Sequence, residues 1–326
     1  IRGLIGFLRY LGRQDSLYDI SGDRAEVPFE AFDNRPILKI RINGSKTPLR
    51  FVLDTGSGMS VISEETARKL GIKPVARGGL ARAVGGGGRF EIVYGYLNSM
   101  DIGDIRIENI PVYIRQFYDL NTPVDGYLGI AALGRLTTAV DYGSRRMTLV
   151  RSGKVPDLTA ARLAWRNNPP ETSHPGIDVP LRTTASGFLS GEVTIEGIKK
   201  PLNFIIDTGA TVSVLSERAA ELDEATAFIQ ENRMRVFGAA GVAENVKVAM
   251  LPKVVLGSYS REKISAAVLD LEPINETAGF QQSGILGGNF LRHFRVIFDF
   301  QRAIIRFEPL DASRPAEPLP RETSGP

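Results

Sequence analysis

Two short segments of this sequence carry the same acidic residue in the same setting, Asp54-Thr55-Gly56 and Asp207-Thr208-Gly209. A carboxylate is a general base when ionised and a general acid when protonated. Two carboxylates at hydrogen-bond distance cannot both ionise easily, so the pair shares one proton and holds both roles at once. One such tripeptide alone at a strand end is ordinary turn chemistry, because an Asp side chain readily bonds the backbone two residues on. The duplication is what requires an account. Other chemistry is poorly provided for. There is no cysteine, which excludes disulfides, thiolate nucleophiles and cysteine metal sites. Of the two histidines, His174 sits in a Pro-rich stretch and His293 in an apolar one. Neither has the spaced partners that a zinc site or a serine triad needs. Structural or solvated roles are expected for both, with no metal and no cofactor.

The aspartates lie within an internal repeat. Ile40 to Ser63 aligns without a gap on Val193 to Ser216. Gly44, Pro48, Phe51 and Ser63 stand at the same distances from Asp54 as Gly197, Pro201, Phe204 and Ser216 do from Asp207. Ile40 and Ile42, like Val193 and Ile195, alternate as in a half-buried strand. Asn43-Gly44 and Glu196-Gly197 then signal turns. Phe51-Val52-Leu53 and Phe204-Ile205-Ile206 are continuously apolar, which predicts strands covered on both faces. Each aspartate therefore falls at the end of a buried strand. Ser63 and Ser216 read as N-caps of short helices, with Glu64, Glu65 and Glu217 in the first turns.

The correspondence runs on. Gly85-Gly86-Gly87-Gly88 and Gly238-Ala239-Ala240-Gly241 open at the same distance from their aspartates, each between strand-like residues. Hairpin tips are predicted. A phosphate-cradling loop needs a helix directly after the glycines, and Arg89 to Tyr94 does not read as one. Tyr127-Leu128-Gly129 and Ile285-Leu286-Gly287 follow. Short helices come next, and then final strands at Met147 to Val150 and Ile304 to Phe307. This divides the chain into a partly helical segment 1–26, a first lobe 27–151, a polar connector 152–175, a second lobe 176–309 and a tail 310–326. The connector carries a helical turn or two near Leu158 to Trp165. The tail is Pro-rich with little apolar material and is expected to be disordered.

Composition narrows the remaining choices. The chain has 326 residues, enough for two domains, and 40 basic against 37 acidic residues give a net charge of +3. That balance, without a dense basic block, argues against nucleic acid. No apolar run approaches a membrane span. Ile1, Leu4, Ile5, Leu8 and Leu11 follow helical spacing, with Arg2, Arg9 and Arg13 among them. Docking of this stripe on its own protein is expected. Contact of residues 1–13 with a membrane surface is the less favoured alternative.

Taken together, each half resembles a retroviral-type aspartic peptidase subunit, and the pair resembles the fused, pepsin-type arrangement of two such lobes. Bacterial retropepsin-like proteins are the nearest in character. The resemblance covers about residues 27 to 151 and 176 to 309. It implies an all-β fold with short helices, in which two homologous acid-protease β-barrel lobes are related by a pseudo-two-fold axis. It also implies an aspartic endopeptidase with Asp54 and Asp207 as its dyad, acting as a monomer on a protein or peptide bound in extended form. A catalytically silent peptide-binding protein of the same fold is the alternative. Thr55 and Thr208 would tie the two active loops together by reciprocal hydrogen bonds, while Gly56 and Gly209 let backbone approach the dyad. Gly129 and Gly287 would pack beneath the loops, and Gly85–Gly88 and Gly238–Gly241 would be flaps. No tyrosine of the pepsin kind stands in either glycine stretch, which points to two flaps of the retroviral kind. In the family a hydroxyl after the Asp-Thr-Gly can donate to the outer oxygen of the carboxylate. Ser57 has one and Ala210 does not, so Asp54 is expected to ionise more readily than Asp207. An extracytoplasmic compartment is the expectation that goes with the family, the missing cysteines and a sequence starting at Ile1.

Overall fold

The structure is a computed structural model that describes residues 2–86, 89–119, 123–151 and 177–310. Gly87, Gly88, the connector 152–175 with its expected helical turns, His174 and the tail beyond residue 310 lie outside the described residues.

The first repeat folds as its pattern of apolar residues predicts. Strand β3 (Arg35–Ile42) buries Leu38, Ile40 and Ile42 and leaves Lys39 and Arg41 outside. It turns through Asn43 and Gly44 into β4 (Leu49–Leu53), where Phe51, Val52 and Leu53 are all buried. β5 (Ser60–Ser63) leads directly into α2 (Glu64–Lys69), and the Ser63 hydroxyl caps that helix by accepting from Thr66 N at 3.0 Å. A hairpin follows, β6 (Ala76–Arg82) and β7 (Arg89–Ile102). After it come β8 (Ile105–Arg115), β9 (Gly126–Leu128), the short helix α3 (Ile130–Leu133) and the closing hairpin β10 (Leu136–Asp141) and β11 (Arg146–Arg151). Between β4 and β5 lies β9, parallel to the former and antiparallel to the latter, and β5 runs parallel to β8. Parallel neighbours are covered on both faces. That is why Leu53, at the end of β4, delivers Asp54 into the interior.

The second repeat builds the same knot of strands. It begins with β12 (Ile177–Pro180), β13 (Arg182–Thr183), β14 (Leu189–Ile195), β15 (Leu202–Ile206) and β16 (Ser213–Ser216). Helix α4 (Glu217–Ala220) is capped by Ser216, which accepts from Ala219 N at 3.0 Å. β17 (Ile229–Gly238) and β18 (Gly241–Leu256) form the hairpin, followed by β19 (Tyr259–Leu269), α5 (Glu272–Ala278), β20 (Gly284–Leu286), α6 (Gly288–Leu291), β21 (Phe294–Asp299) and β22 (Ile304–Pro309). β15 and β20 are parallel, β16 and β20 antiparallel, and β16 and β19 parallel. The two lobes are thus mostly β and share one topology, related by a pseudo-two-fold.

The lobes meet in a six-stranded antiparallel sheet ordered β12-β22-β21-β10-β11-β2, with β2 at Arg24–Phe32. Its central seam pairs β10 of one lobe with β21 of the other, Ala139 opposite Ile297. In the second half of this sheet Phe294 meets Tyr259 and Phe307 edge to face, and Phe290 meets Phe307 in the same way. β2 starts at Arg24 and runs on through residue 27, and β1 (Asp19–Ser21) pairs with β8.

Helix α1 (Arg2–Leu11) lies on the first hairpin. Phe7 is buried and stacks on Tyr94 with ring centroids 4.4 Å apart, and Tyr10 meets Tyr96 edge-on. Gly3 is pressed on the backbone of Arg77 and Gly78. The helix docks on its own protein as expected, yet only through part of its apolar stripe. Leu4, Ile5 and Leu8 stay exposed.

Candidate active site

Asp54 and Asp207 leave their strands at the point where the two lobes face each other. Asp54 N donates to Leu128 O and Asp207 N to Leu286 O, both at 3.0 Å, so each β9-type strand fixes one aspartate. The threonines cross between lobes. Thr55 Oγ1 donates to Ile206 O at 2.8 Å, and Thr208 Oγ1 donates to Leu53 O at 2.7 Å. In return each hydroxyl accepts from the other loop, Thr208 N to Thr55 Oγ1 at 3.0 Å and Thr55 N to Thr208 Oγ1 at 3.2 Å. Both threonines are fully buried. Four bonds in a dry setting hold the loops in one geometry, since none of these groups has water as an alternative partner.

The glycines explain how close the carboxylates come. A Cβ on Gly209 would sit 2.7 Å from Cγ of Asp54, and one on Gly56 would collide with the Asp207 carboxylate. Each carboxylate thus lies against the opposite loop. Gly56 N donates to Asp54 Oδ1 at 3.0 Å, and Gly209 N to Asp207 Oδ1 at 2.7 Å. Gly129 and Gly287 pack under the loops, where a Cβ would press on Ser57 O or Val212 O. Their N–H groups donate to Ser60 Oγ at 3.0 Å and Ser213 Oγ at 3.1 Å.

Burial raises both carboxyls above their usual range, because the charged form loses water. Asp54 rises well above it, pushed further by the negative charge of Asp207 and by its hydrogen bond to that residue. Asp207 is restrained by donors. Gly209 N, the Asp54 side chain, Gly56 N and Ala210 N all favour its ionised form. The two carboxyls therefore hold one proton between them. The hydrogen bond expected from Ser57 to the Asp54 carboxylate is not made. The Ser57 hydroxyl donates to Met59 O at 2.8 Å and serves the turn, not the carboxylate. Ala210, without a hydroxyl, supports Asp207 through its backbone N–H.

Arg35 is a neighbour that the repeat alone did not mark. Its guanidinium is buried, pairs with Asp119 at 3.3 Å and Asp33 at 3.8 Å, and hydrogen-bonds the Tyr127 hydroxyl. Its positive charge acts on Asp54 in favour of ionisation. The equivalent position in the second repeat is Phe188. That mismatch between the copies was the available signal. Asn34 beside it bridges the lobes, donating to Thr211 O at 3.1 Å and accepting from Arg292 at 2.9 Å.

Gly85 and Gly86 of the first glycine stretch, and the second stretch Gly238–Gly241, stand at the tips of two hairpins, β6–β7 and β17–β18. The tips touch. A Cβ on Gly85 would lie 2.8 Å from Gly238 Cα, and one on Gly86 would lie 2.6 Å from Gly241 N. Both Gly85 and Gly86 have positive φ, so the approach and the turn each require glycine. Two further contacts cross between lobes. Arg82 on β6 pairs with Glu276 at 2.7 Å and Asp270 at 3.2 Å, and Arg115 on β8 donates to Ala239 O at the second tip. Arg235, the counterpart of Arg82, bonds Glu244 on its own hairpin instead. A cavity of about 540 Å³ lies beside the first hairpin, lined among others by Gly85, Gly86, Val246 and Leu269. Neither aspartate lines it.

His293 is partly buried among Arg261 and Arg292, and burial and those charges hold its imidazole down to about 4, hence neutral. Among the described residues no group of three or more His, Asp or Glu is placed to hold a metal.

Two β lobes with crossed threonines beneath a shared pair of carboxylates define the two-lobed aspartic proteinase class of fold. The chain belongs to the aspartyl protease family, whose model matches residues 38–132 and again 191–290. Among solved structures it is similar to the aspartic proteinase from Irpex lacteus, with a TM-score of 0.53 and 14% identity over 88% of this chain and 97% of that one. At that identity the likeness concerns the fold. No curated protein matches the chain by sequence.

Proposed function

We propose that this chain is an aspartic endopeptidase, hydrolysing peptide bonds with a water activated between Asp54 and Asp207. The observation that carries the proposal is the pair of half-buried carboxylates, each seated on the opposite loop and sharing one proton. A pair raised in this way is costly to folding and suits proton transfer near the acid side of neutrality.

The roles follow from where the donors lie. Asp207, ionised and held by backbone N–H groups, takes a proton from the water as its oxygen adds to the scissile carbonyl carbon. Asp54 gives its proton to the carbonyl oxygen, which yields a neutral gem-diol. In the second step the proton held by Asp207 passes to the nitrogen as the C–N bond breaks, and a diol hydroxyl returns a proton to Asp54. No covalent intermediate forms. The substrate lies extended beneath the two hairpins, bonding to them in the manner of an added strand.

Asp54→Asn and Asp207→Asn test the assignment. Each is expected to lower kcat on an unbiased peptide library by ~10²-fold or more, because each removes a distinct proton-transfer role. Turnover near that of wild type in either variant, with the fold intact, refutes it.

A further inference from the structure

The outer side of helix α1 and the ends of the two hairpins carry apolar side chains that the fold leaves uncovered. Leu4, Ile5 and Leu8 project away from the contacts that Gly3, Phe7 and Tyr10 make with β6 and β7. Leu8 is 56% exposed, and Leu80, just beyond the docking site on β6, is 68% exposed. At the second tip Phe237 and Val242 pair across the strands and are exposed as well. Their neighbours Val236 and Ala243 pack against the apolar cluster that includes Val246 and Leu269, so alternation turns Phe237 and Val242 outward. Of the large apolar side chains exposed among the described residues, all but Leu222 and Met250 lie on α1 or these two hairpin ends.

Charge indicates what covers this face. Helix α1 has no acidic residue, and the nearest in sequence is Asp15. Arg2, Arg9 and Arg13 are exposed and form no ion pair among the described residues. On a helical projection Arg2 and Arg9 flank the Leu4–Leu8–Ile5 arc on the side away from the protein body. An apolar arc bordered by free arginines is the composition of a helix that lies in the headgroup layer of an anionic bilayer.

We infer that α1 docks this protein on an anionic membrane surface, with Leu4, Ile5 and Leu8 inserted and Arg2 and Arg9 at the phosphates. The inference is independent of catalysis. Because α1 is stacked on the first hairpin, docking brings that hairpin to the membrane.

Co-sedimentation of the full chain with vesicles tests this. Wild type is expected to bind vesicles of phosphatidylcholine with phosphatidylglycerol, and to bind pure phosphatidylcholine at least about fivefold less. Leu4→Ser with Leu8→Ser should weaken binding about tenfold or more. Arg2→Gln with Arg9→Gln should weaken it roughly fivefold for each charge and remove its salt dependence. Circular dichroism should show both variants folded, since all four side chains are exposed. The inference is overturned if wild type stays in solution with anionic vesicles, if it binds neutral vesicles equally, or if the leucine variant binds as wild type does. It is also overturned if sedimentation without lipid reveals a dimer that the leucine variant loses, for then a second copy covers the face.

Discussion

At the scale of single residues, the carboxylate pair sets protein stability against proton chemistry. A carboxyl whose value is raised by folding contributes stability below its unfolded value of 3.8, and that contribution is lost as pH climbs through the folded value. Near neutrality Asp54 is therefore a liability to the fold. Asp54→Asn is expected to raise the thermal midpoint at pH 7, with the gain shrinking as pH falls through the raised folded value and gone by about 3.8; a variant no more stable than wild type at pH 7 contradicts the burial argument. Arg35 acts in the opposite sense, favouring the anion on Asp54. With Asp54 as the acid, Arg35→Gln should move the alkaline limb of kcat/KM, where Asp54 loses its proton, upward in pH, whereas Ser57→Ala should leave that limb in place because the Ser57 hydroxyl bonds Met59 O. Matching profiles for Arg35→Gln and wild type would exclude the electrostatic role of Arg35. Both aspartates, both threonines and the glycines beside them were legible in the sequence, since the duplication forced them into register. The partner of the Ser57 hydroxyl was not. It depends on which way one hydroxyl points, and rotamers are set by packing that a linear sequence does not display.

At the scale of elements, what the sequence shows well is anything with local cause. Ser63 and Ser216 cap their helices, and the apolar triplets at Phe51 and Phe204 are buried, as their patterns predicted. Gly85 and Gly86, and Gly238 to Gly241, do lie at the ends of two hairpins. Contacts between hairpins and opposite lobes had no local signature. Arg82 and Arg235 occupy matching positions in the repeats, yet one crosses to Asp270 and Glu276 and the other stays on its own strand pair. The Arg82 network is half exposed, so each pair is worth only ~0.2–1 kcal/mol. Opening of the first hairpin should thus become about two- to fivefold more frequent in Arg82→Gln. Amide exchange in residues 76–102 of the free protein measures it. Equal exchange in the two proteins would show that the tip contacts alone, Gly85 on Gly238 and Gly86 on Gly241, hold the hairpin down.

At the scale of the whole molecule, the question is whether one chain completes the site. The seam between lobes is a ladder of paired strands, Thr137 opposite Asp299 through Asp141 opposite Arg295, and it continues outward to β2 and β12 on either side. The crossed threonines add bonds between Leu53 and Thr208 and between Ile206 and Thr55. Every one of these joins the first repeat to the second within a single polypeptide. Pairing between the lobes is therefore intramolecular, and its equilibrium does not depend on concentration, whereas two separate subunits would part by mass action when diluted. Specific activity on a peptide substrate should stay constant from micromolar down through nanomolar protein. Sedimentation over the same range should give one species with the mass of one chain. A specific activity that falls with dilution, together with a dimer at the upper end, would mean that lobes of different chains pair in solution and that the cis seam is not the working arrangement.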